Sequence, residues 1–338
     1  MKLLLILSCL FYISCVNLKP NGNKKIEDLA KKESFRYDLP IKEEILIKPN
    51  FPNITTKKLS TGLSVYVLSR KDLPIVSLNI VFKAGSSITP NNKPGVINLL
   101  ALMLKEGSKD KTSLQMANAF ADLGTQLEVN VTFDRLSIGV DCTSDKLEAV
   151  SKLLSDILEN PQFLPSDFLR VKENFIAELE SIQAIPGYKA QKEFFNTAYT
   201  KQHPYGKSII DNPKDIENIS IDDVKNAYNN YFGSQNAALI IVGDTDYKDI
   251  EKKSASLLKF NKKIIQTSNN YSYINPKEMQ IVLVEQEKTP QTYLMMGQVV
   301  CDAKNIKDML ALEMIKRIMA SSPTSRLLAN LRESKGWT

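Results

Sequence analysis

The sequence predicts an α+β fold, in which mostly antiparallel sheets carry helices on one side. Four segments alternate apolar and polar residues, as half-buried strands do: 59–69, 76–83, 126–133 and 135–141. Four others carry apolar residues at helical spacing: 96–106, 112–124, 146–159 and 166–184. Residues 280–300 echo the strand, charged turn and strand of residues 64–84. This echo predicts that the domain starts to repeat.

The helix predicted at residues 96–106 lies at the centre of the first domain because it is apolar on almost every side. Asn98 is the sole polar residue before Lys105. Gly95 marks the start of the helix and Gly107 marks its end. The positions expected to be buried are Val96, Ile97, Leu99, Leu100, Leu102, Met103 and Leu104.

The strands on either side of this helix have one apolar face each. Residues 59–69 predict a two-stranded element that bends at Gly62, and residues 76–83 predict the next strand. The apolar face of the first element is expected to hold Leu63, Val65 and Val67. Segments 126–133 and 135–141 predict an antiparallel pair joined by a tight turn.

The later helices have recognisable start and stop signals. Thr112 or Ser113 is expected to cap a helix that ends at Gly124, with an apolar face made of Leu114, Ala117, Phe120 and Ala121. Ser144 is predicted to cap the helix at 146–159. Ser166 is predicted to cap a longer helix that runs to about Ala184 and halts before Pro186.

Composition is that of an ordinary globular protein, with 338 residues, 43% of them hydrophobic and 24% charged. The formal charge of +6 is spread along the chain without a basic block interleaved with aromatics, which argues against a nucleic-acid partner. Cys142 and Cys301, far apart in sequence, form no C-x-x-C motif and are interpreted as small buried hydrophobes.

Residues 1–15 predict an export signal, with a positive charge at Lys2 and an apolar run to Ile13. The run is too short to span a bilayer. Cys15 follows the small Ser14, so the segment is similar to a bacterial lipoprotein signal, although Tyr12 departs from the usual leucine. Lipidation of Cys15 is the preferred interpretation, and a simple secretory signal or an uncleaved anchor are the alternatives.

The rest of the chain divides into four parts. Residues 16–55, rich in Lys, Asn, Pro and Glu, predict a flexible tether, and residues 56–261 the first domain. The polar stretch 262–277 predicts a linker, and residues 278–338 the start of a second domain. A full second copy would need well over a hundred more residues, so we expect the second repeat to be incomplete.

Several segments, in order along the chain, carry a resemblance to a known family. They are AGSS at 84–87, GVINLLALMLKEGS at 95–108, QHPYGKSI at 202–209, NAALIIVGD at 236–244 and ASSPTSRLLANLRESKGWT at 320–338. Together they resemble the pitrilysin, insulin-degrading enzyme and mitochondrial processing peptidase family of zinc peptidases. The resemblance implies a peptidase half-clamshell built from repeated domains.

Active members of that family carry the zinc motif H-x-x-E-H on the helix that corresponds to residues 96–106. Here Asn98, Ala101 and Leu102 stand in the places of His, Glu and His. The resemblance therefore implies a degenerate motif, no metal held by this chain, and zinc held by a partner subunit. The chain has one histidine, His203, which excludes the motif elsewhere, and the resemblance places His203 in a structural segment.

Two further positions correspond to functional residues of the family. Glu178 matches the third zinc ligand and is a possible remnant, although a solvated helix face that also carries Lys172 explains it without a site. Arg332 matches an arginine that contacts the substrate backbone and the tetrahedral intermediate, and the alternative is a surface arginine beside Glu333. Arg326, in the S-R-L turn, is interpreted as structural.

These features predict the non-catalytic subunit of a two-chain zinc metallopeptidase. It would be exported, tethered to a bacterial membrane through Cys15, and paired with a zinc-motif-bearing subunit to enclose and bind extended peptides. Two alternatives stay open: a stand-alone peptide-binding or scaffolding lipoprotein that uses its sheet edge, and a decayed gene fragment. An active peptidase with an unrecognised site is disfavoured because no other catalytic motif is present.

Overall fold

A computed structural model describes residues 52–88, 93–199, 203–206, 212–260, 262, 264, 278–286 and 291–337. The predicted signal and most of the predicted tether lie outside these residues, as do residues 265–277 of the predicted linker. In the described ranges, no helix is both long and apolar enough to cross a membrane.

The main sheet has six strands in the order β1-β2-β8-β3-β7-β6. The strands are β1 (Thr55–Lys58), β2 (Ser64–Ser69), β3 (Ile75–Phe82), β6 (Glu128–Val131), β7 (Leu136–Thr143) and β8 (Ala237–Gly243). A separate two-stranded hairpin comprises β4 (Gly107–Ser108) and β5 (Lys111–Thr112). Every pair in the main sheet is antiparallel except β2 with β8, which confirms the predicted mostly antiparallel sheet.

One face of the sheet forms half of the hydrophobic core. Leu63, Val65 and Val67 are buried on the same face, as predicted. In the centre of the sheet, Ile80 of β3 lies between Leu239 of β8 and Ile138 of β7 in register, and all three are buried. This alternation of buried and more exposed positions arises because successive strand residues point to opposite faces of the sheet.

Helices cover the buried face of the sheet. The described helices of the first domain are α1 (Val96–Met103), α2 (Ser113–Asp122), α3 (Leu147–Glu159), α4 (Pro165–Gln183), α5 (Pro186–Tyr199), α6 (Pro213–Glu217), α7 (Ile221–Tyr231), α8 (Tyr247–Lys253) and α9 (Ala255–Leu258). Phe82 of β3 anchors this layer, since its ring lies 4.7 Å from that of Phe232 and 6.2 Å from that of Phe260. Such aromatic pairs add to the stability gained from burial alone.

Two predicted helix caps are wrong. Ser144 does not cap α3; its hydroxyl donates a hydrogen bond to Asp244 Oδ2 at 3.0 Å, and Lys146 precedes the helix without a side-chain cap. Ser166 does not cap α4 because Pro165, whose missing N–H and fixed φ suit the first helical position, begins that helix one residue earlier. The predicted cap at Thr112 is confirmed, with a reciprocal capping box to Gln115.

The buried face of α2 also differs from the prediction. Met116 and Phe120 are buried, whereas Leu114 is 70% exposed. Of the predicted face only Phe120 is buried; Ala117 and Ala121 also face solvent, because the buried stripe of α2 runs through Met116 and Phe120, which are four residues apart. As predicted, α4 ends before Pro186; Pro186 is also the first residue of a further helix, α5.

The two strands predicted at 280–300 are absent from described residues 278–286 and 291–300. These segments are irregular and their apolar side chains are exposed, with Leu283 at 93%. An isolated two-stranded hairpin is marginal in water, and the described residues offer no third strand to stabilise it. The first helix after these segments is α10 (Ile306–Lys316), and a π-helical turn (Arg317–Ser321) follows it.

Candidate functional site

The motif helix α1 is a core helix held at both ends by glycine. Gly95, which precedes it, has φ +89°, a left-handed conformation that glycine adopts without strain. Gly107, just after it, has φ +110°, and a Cβ there would meet Lys111 O at 2.3 Å. The helix packs against α4, α7 and β6. Its buried residues include Val96, Ile97, Leu99, Leu100, Met103 and Leu104, as predicted.

The three degenerate motif positions lie on and beside the less buried face of α1. Asn98 and Leu102, four residues apart, are both half-buried, and Ala101 is 5% exposed. The sequence predicts that Leu102 is buried, but in the structure it is partly buried and packs against the core from outside. Side chains four apart on a helix are neighbours, so this is the geometry in which two imidazoles would share an ion.

The residues present do not fit a zinc ion. Zinc in proteins takes imidazole, thiolate or carboxylate ligands. Leu102 supplies no donor atom, Ala101 supplies no general base, and Asn98 offers only a neutral amide. Glu178 is exposed on α4. Across the described part of the chain, no group of three or more His, Cys, Asp or Glu side chains is placed to hold a metal.

Polar contacts hold the start of α1 against α7. Lys93 Nζ donates to Asp223 Oδ2 at 2.7 Å and to Asn218 O at 2.8 Å. Asp223 also closes a capping box with Ser220 at the start of α7. Although burial opposes it, the hydrogen bonds from Lys93 and Ser220 keep the pKa of Asp223 below its ordinary value. The ion pair is partly shielded from water, so it fixes geometry more firmly than a surface pair does.

The end of α1 and the helix α4 are held in the same way. Arg170 on α4 donates a hydrogen bond to the Glu106 carboxylate, which raises the pKa of Arg170. Lys172, interpreted from sequence as part of a solvated face, instead donates to Glu217 O at 2.7 Å and Ile219 O at 2.8 Å, and burial lowers its pKa. Sequence reasoning missed these contacts because their partners are up to 64 residues apart.

His203 lies in an aromatic cluster. Its ring stacks on Tyr199 with centroids 5.2 Å apart, and its Nδ1 accepts a hydrogen bond from Tyr205 N at 3.1 Å. Tyr205 donates to the Asp134 carboxylate and stacks on Phe133 at 4.7 Å. Burial lowers the pKa of His203 and raises that of Tyr205. The bond from Tyr205 to Asp134 ties residues 203–206 to the β6–β7 turn, and a structural role for His203 stays a prediction.

The sequence-predicted residues of the C-terminal part lie on exposed helical segments. Arg332 is exposed in a π-helical turn (Ala329–Ser334). Arg326 is exposed at the first residue of the short helix α11 (Arg326–Leu328). Lys335 lies over the ring of Trp337 at 4.4 Å. The structure therefore presents both arginines to solvent and does not bring either of them to the motif helix.

The cysteines differ in environment. Cys142 of β7 is buried and unpaired, and burial, followed by the charges of Asp141 and Asp145, raises its pKa to about 11. Cys301 is half-buried and is also free, so the expected burial holds fully only for Cys142. Cys15 lies outside the described residues, and its lipidation stays a prediction.

Two family models together match most of the chain. Residues 65–213 match the model described as Insulinase (Peptidase family M16). Residues 218–338 match the model described as Peptidase M16 inactive domain. The motif helix α1 falls in the first of these ranges and Arg332 in the second.

Known proteins are similar to the chain over most of its length. An uncharacterized zinc protease of Rickettsia bellii (strain RML369-C) is 22% identical over 291 residues, which are 84% of this chain and 68% of that protein. The non-peptidase homolog YmxG of Helicobacter pylori (strain ATCC 700392 / 26695) is 21% identical over 269 residues, 78% of this chain and 60% of that protein. The crystal structure of a peptidase M16 inactive domain from Pseudomonas fluorescens superposes with a TM-score of 0.70 and 24% identity, covering 84% of this chain and 68% of that one.

Proposed function

Because the chain belongs to the M16 (insulinase) peptidase family, we propose that it is the non-catalytic subunit of a two-chain zinc metallopeptidase. One observation carries the proposal: α1 lies in the core with polar contacts at both of its ends, while positions 98, 101 and 102 hold Asn, Ala and Leu. A motif helix that is folded into the core but has no zinc ligands suits a protein that docks with a partner subunit and helps to enclose a peptide. The zinc and its general base would come from a partner subunit of the same family.

Arg332 would be the contribution of this chain to the reaction. Its exposed guanidinium is available to a second protein and carries a fixed fork of donors that suits a carbonyl or an oxyanion. Donors aimed at the charge that develops in acyl transfer stabilise the transition state more than the substrate. Arg332 would therefore act on the substrate bound at the partner's zinc site.

Extended peptides are the proposed substrate class. Strand β6 lies at the end of the main sheet and pairs with β7 on one side only among the described strands. Its residues alternate between exposed and half-buried, and α1 lies beside it. An extended peptide can add to such an edge through main-chain hydrogen bonds. This edge equally supports the second candidate, a peptide-binding or scaffolding lipoprotein that works without a catalytic partner.

We also propose that the protein is exported and anchored to a bacterial membrane by a lipid on Cys15. The support is the short apolar segment that ends at a small residue before that cysteine. The test is extraction of membranes with and without detergent. The native protein should appear only in the detergent fraction, and Cys15→Ala should release it; an unchanged fractionation of Cys15→Ala would refute the lipid anchor.

The two-chain proposal is tested by reconstitution with an M16 subunit that carries H-x-x-E-H and by hydrolysis of a quenched peptide. The pair should cleave the peptide and the chain alone should not. Arg332→Ala should lower kcat by about 100-fold, the effect of losing one oxyanion donor, while the subunits still co-purify. Arg70→Ala is the matched control, because Arg70 is exposed and, among the described residues, forms an ion pair only with nearby Asp72.

Three outcomes distinguish the candidates. Turnover that requires both chains and falls with Arg332→Ala supports the paired enzyme. Peptide binding by the chain alone, with no gain in turnover from any zinc-motif subunit, supports the stand-alone binding protein and refutes the pair. Zinc-dependent turnover by the chain alone, abolished by Glu178→Gln, would overturn both.

A further inference from the structure

The turn between the two C-terminal helical segments lines a cavity of about 460 Å³. The first segment is α10 with its π-helical turn, and the second begins at Arg326. The lining side chains that can donate hydrogen bonds are Arg317, Ser321, Ser322, Thr324, Ser325 and Arg326. None of the described lining residues carries a carboxylate, so the cavity has positive charge and hydroxyl donors without a negative charge to neutralise them.

Ser325 is the central observation. Its side chain is 2% exposed, and its Oγ has no hydrogen-bond partner among the described residues. It precedes the last helical segment yet makes no side-chain capping bond, although serine is a preferred cap residue. Leaving a buried hydroxyl without a partner is unfavourable, because the group has given up its hydrogen bonds to water. A ligand oxygen in the cavity would accept from this hydroxyl and remove that cost.

The surrounding donors are held in position. Ser322 Oγ and Thr324 Oγ1 share a hydrogen bond at 3.1 Å, and Ser325 N donates to Ser322 O at 2.9 Å. Arg317 and Arg326 form no ion pair with any described carboxylate. Two unpaired guanidinium groups beside an ordered turn of hydroxyls match the acceptor oxygens of a phosphate or a carboxylate.

We propose that this cavity binds an oxyanion, a negatively charged group with at least two acceptor oxygens that contacts both arginines and Ser325. Two sources share this chemistry: free phosphate and the carboxylate at the end of a peptide. The site goes beyond the proposed function and does not depend on it, since binding needs no partner subunit.

The experiment is isothermal titration calorimetry of the full chain with inorganic phosphate, at an ionic strength held constant with chloride. Saturable binding is expected, and it should weaken at least tenfold in Ser325→Ala and in Arg326→Ala. Arg326→Lys should also weaken it, because an ammonium keeps the charge but loses the two-pronged donor. Arg70→Ala, on the first domain, should leave the affinity unchanged, and circular dichroism confirms that each variant is folded.

Heat no larger than that from added chloride, or equal affinity in the wild type and in folded Ser325→Ala, would overturn the proposal.

If phosphate binds as expected, a competition experiment identifies which of the two sources supplies the oxyanion. If a short peptide with a free C-terminal carboxylate displaces phosphate and its amide does not, the ligand is a peptide end. If neither displaces phosphate, the site takes free phosphate groups. A chain that fails to pair with a zinc-motif subunit would still give these binding results. The failure of the two-chain proposal can therefore be distinguished from the failure of the oxyanion-site proposal.

Discussion

The two faces of α1 are expected to contribute very differently to stability. Leu99 is fully buried on the inner face, while Leu102 is half-buried on the face that carries the degenerate motif. Leu99→Ala and Leu102→Ala remove the same atoms and change helix propensity equally, so their difference reports packing alone. Truncating a fully buried leucine costs about 3 kcal/mol, and a half-buried one beside solvent about 1 kcal/mol.

The measurement is urea unfolding at 25 °C followed by far-UV circular dichroism. This signal is preferred because the single tryptophan, Trp337, is exposed and lies outside the core of the first domain. A gap of about 2 kcal/mol corresponds to a difference of about 1 M in midpoint, if the slopes stay equal. Leu114→Ala is the control, since a leucine that is 70% exposed should cost less than about 0.5 kcal/mol.

Equal costs for Leu99→Ala and Leu102→Ala would refute this reasoning. The motif face would then be packed as tightly as the inner face of α1. The face of α1 that carries the degenerate motif would then offer no open surface to an enclosed peptide. This result would favour the second candidate function, the stand-alone peptide-binding protein.

The Cys142 thiol should resist alkylation at pH 8 because burial raises its pKa to about 11, whereas the half-buried Cys301 should react first. Peptide mapping after iodoacetamide measures the ratio, and equal labelling would contradict the burial of Cys142. The free energy of unfolding should rise from pH 7 to pH 10, because burial lowers the pKa of Lys262 to about 7 while the unfolded amine stays protonated up to about pH 10.4. Lys262→Met should flatten this rise in urea titrations at several pH values; an unchanged slope would assign it to other groups.

The alternation of apolar and polar residues was sufficient to predict the buried faces of the strands, as at Val65. The burial of α1, as at Leu99, could be predicted because residues 96–104 are apolar at every position except Asn98. The three motif positions could also be placed on one helix from their spacing alone. What the resemblance implied for Glu178 and Arg332 stays a prediction, because neither residue makes a contact in the described structure that tests it.

Features that depend on distant partners could not be predicted. Ser144 caps nothing because Asp244, a hundred residues later, takes its hydroxyl. Pro186 both ends one helix and begins the next, and local sequence signals only the first of these roles. The orphan hydroxyl of Ser325 is visible only once its burial is known. The signal that would have found the cavity is the serine-rich turn 321–325 between two arginines nine residues apart.

The strand order of the main sheet also determines when the first domain can be completed. Strands β2 and β3 are consecutive in sequence, but in the sheet β8 lies between them and pairs with both. Their pairing in the sheet therefore requires a strand that begins only at Ala237. At 5–20 residues per second, synthesis of the segment from the end of β3 to the start of β8 takes roughly 8–30 s. During that time β2 and β3 each present an open edge, which is a template for pairing with other chains. The export proposed above would benefit from this delay, since a sheet that lacks its central strand stays unfolded and can be threaded through a membrane.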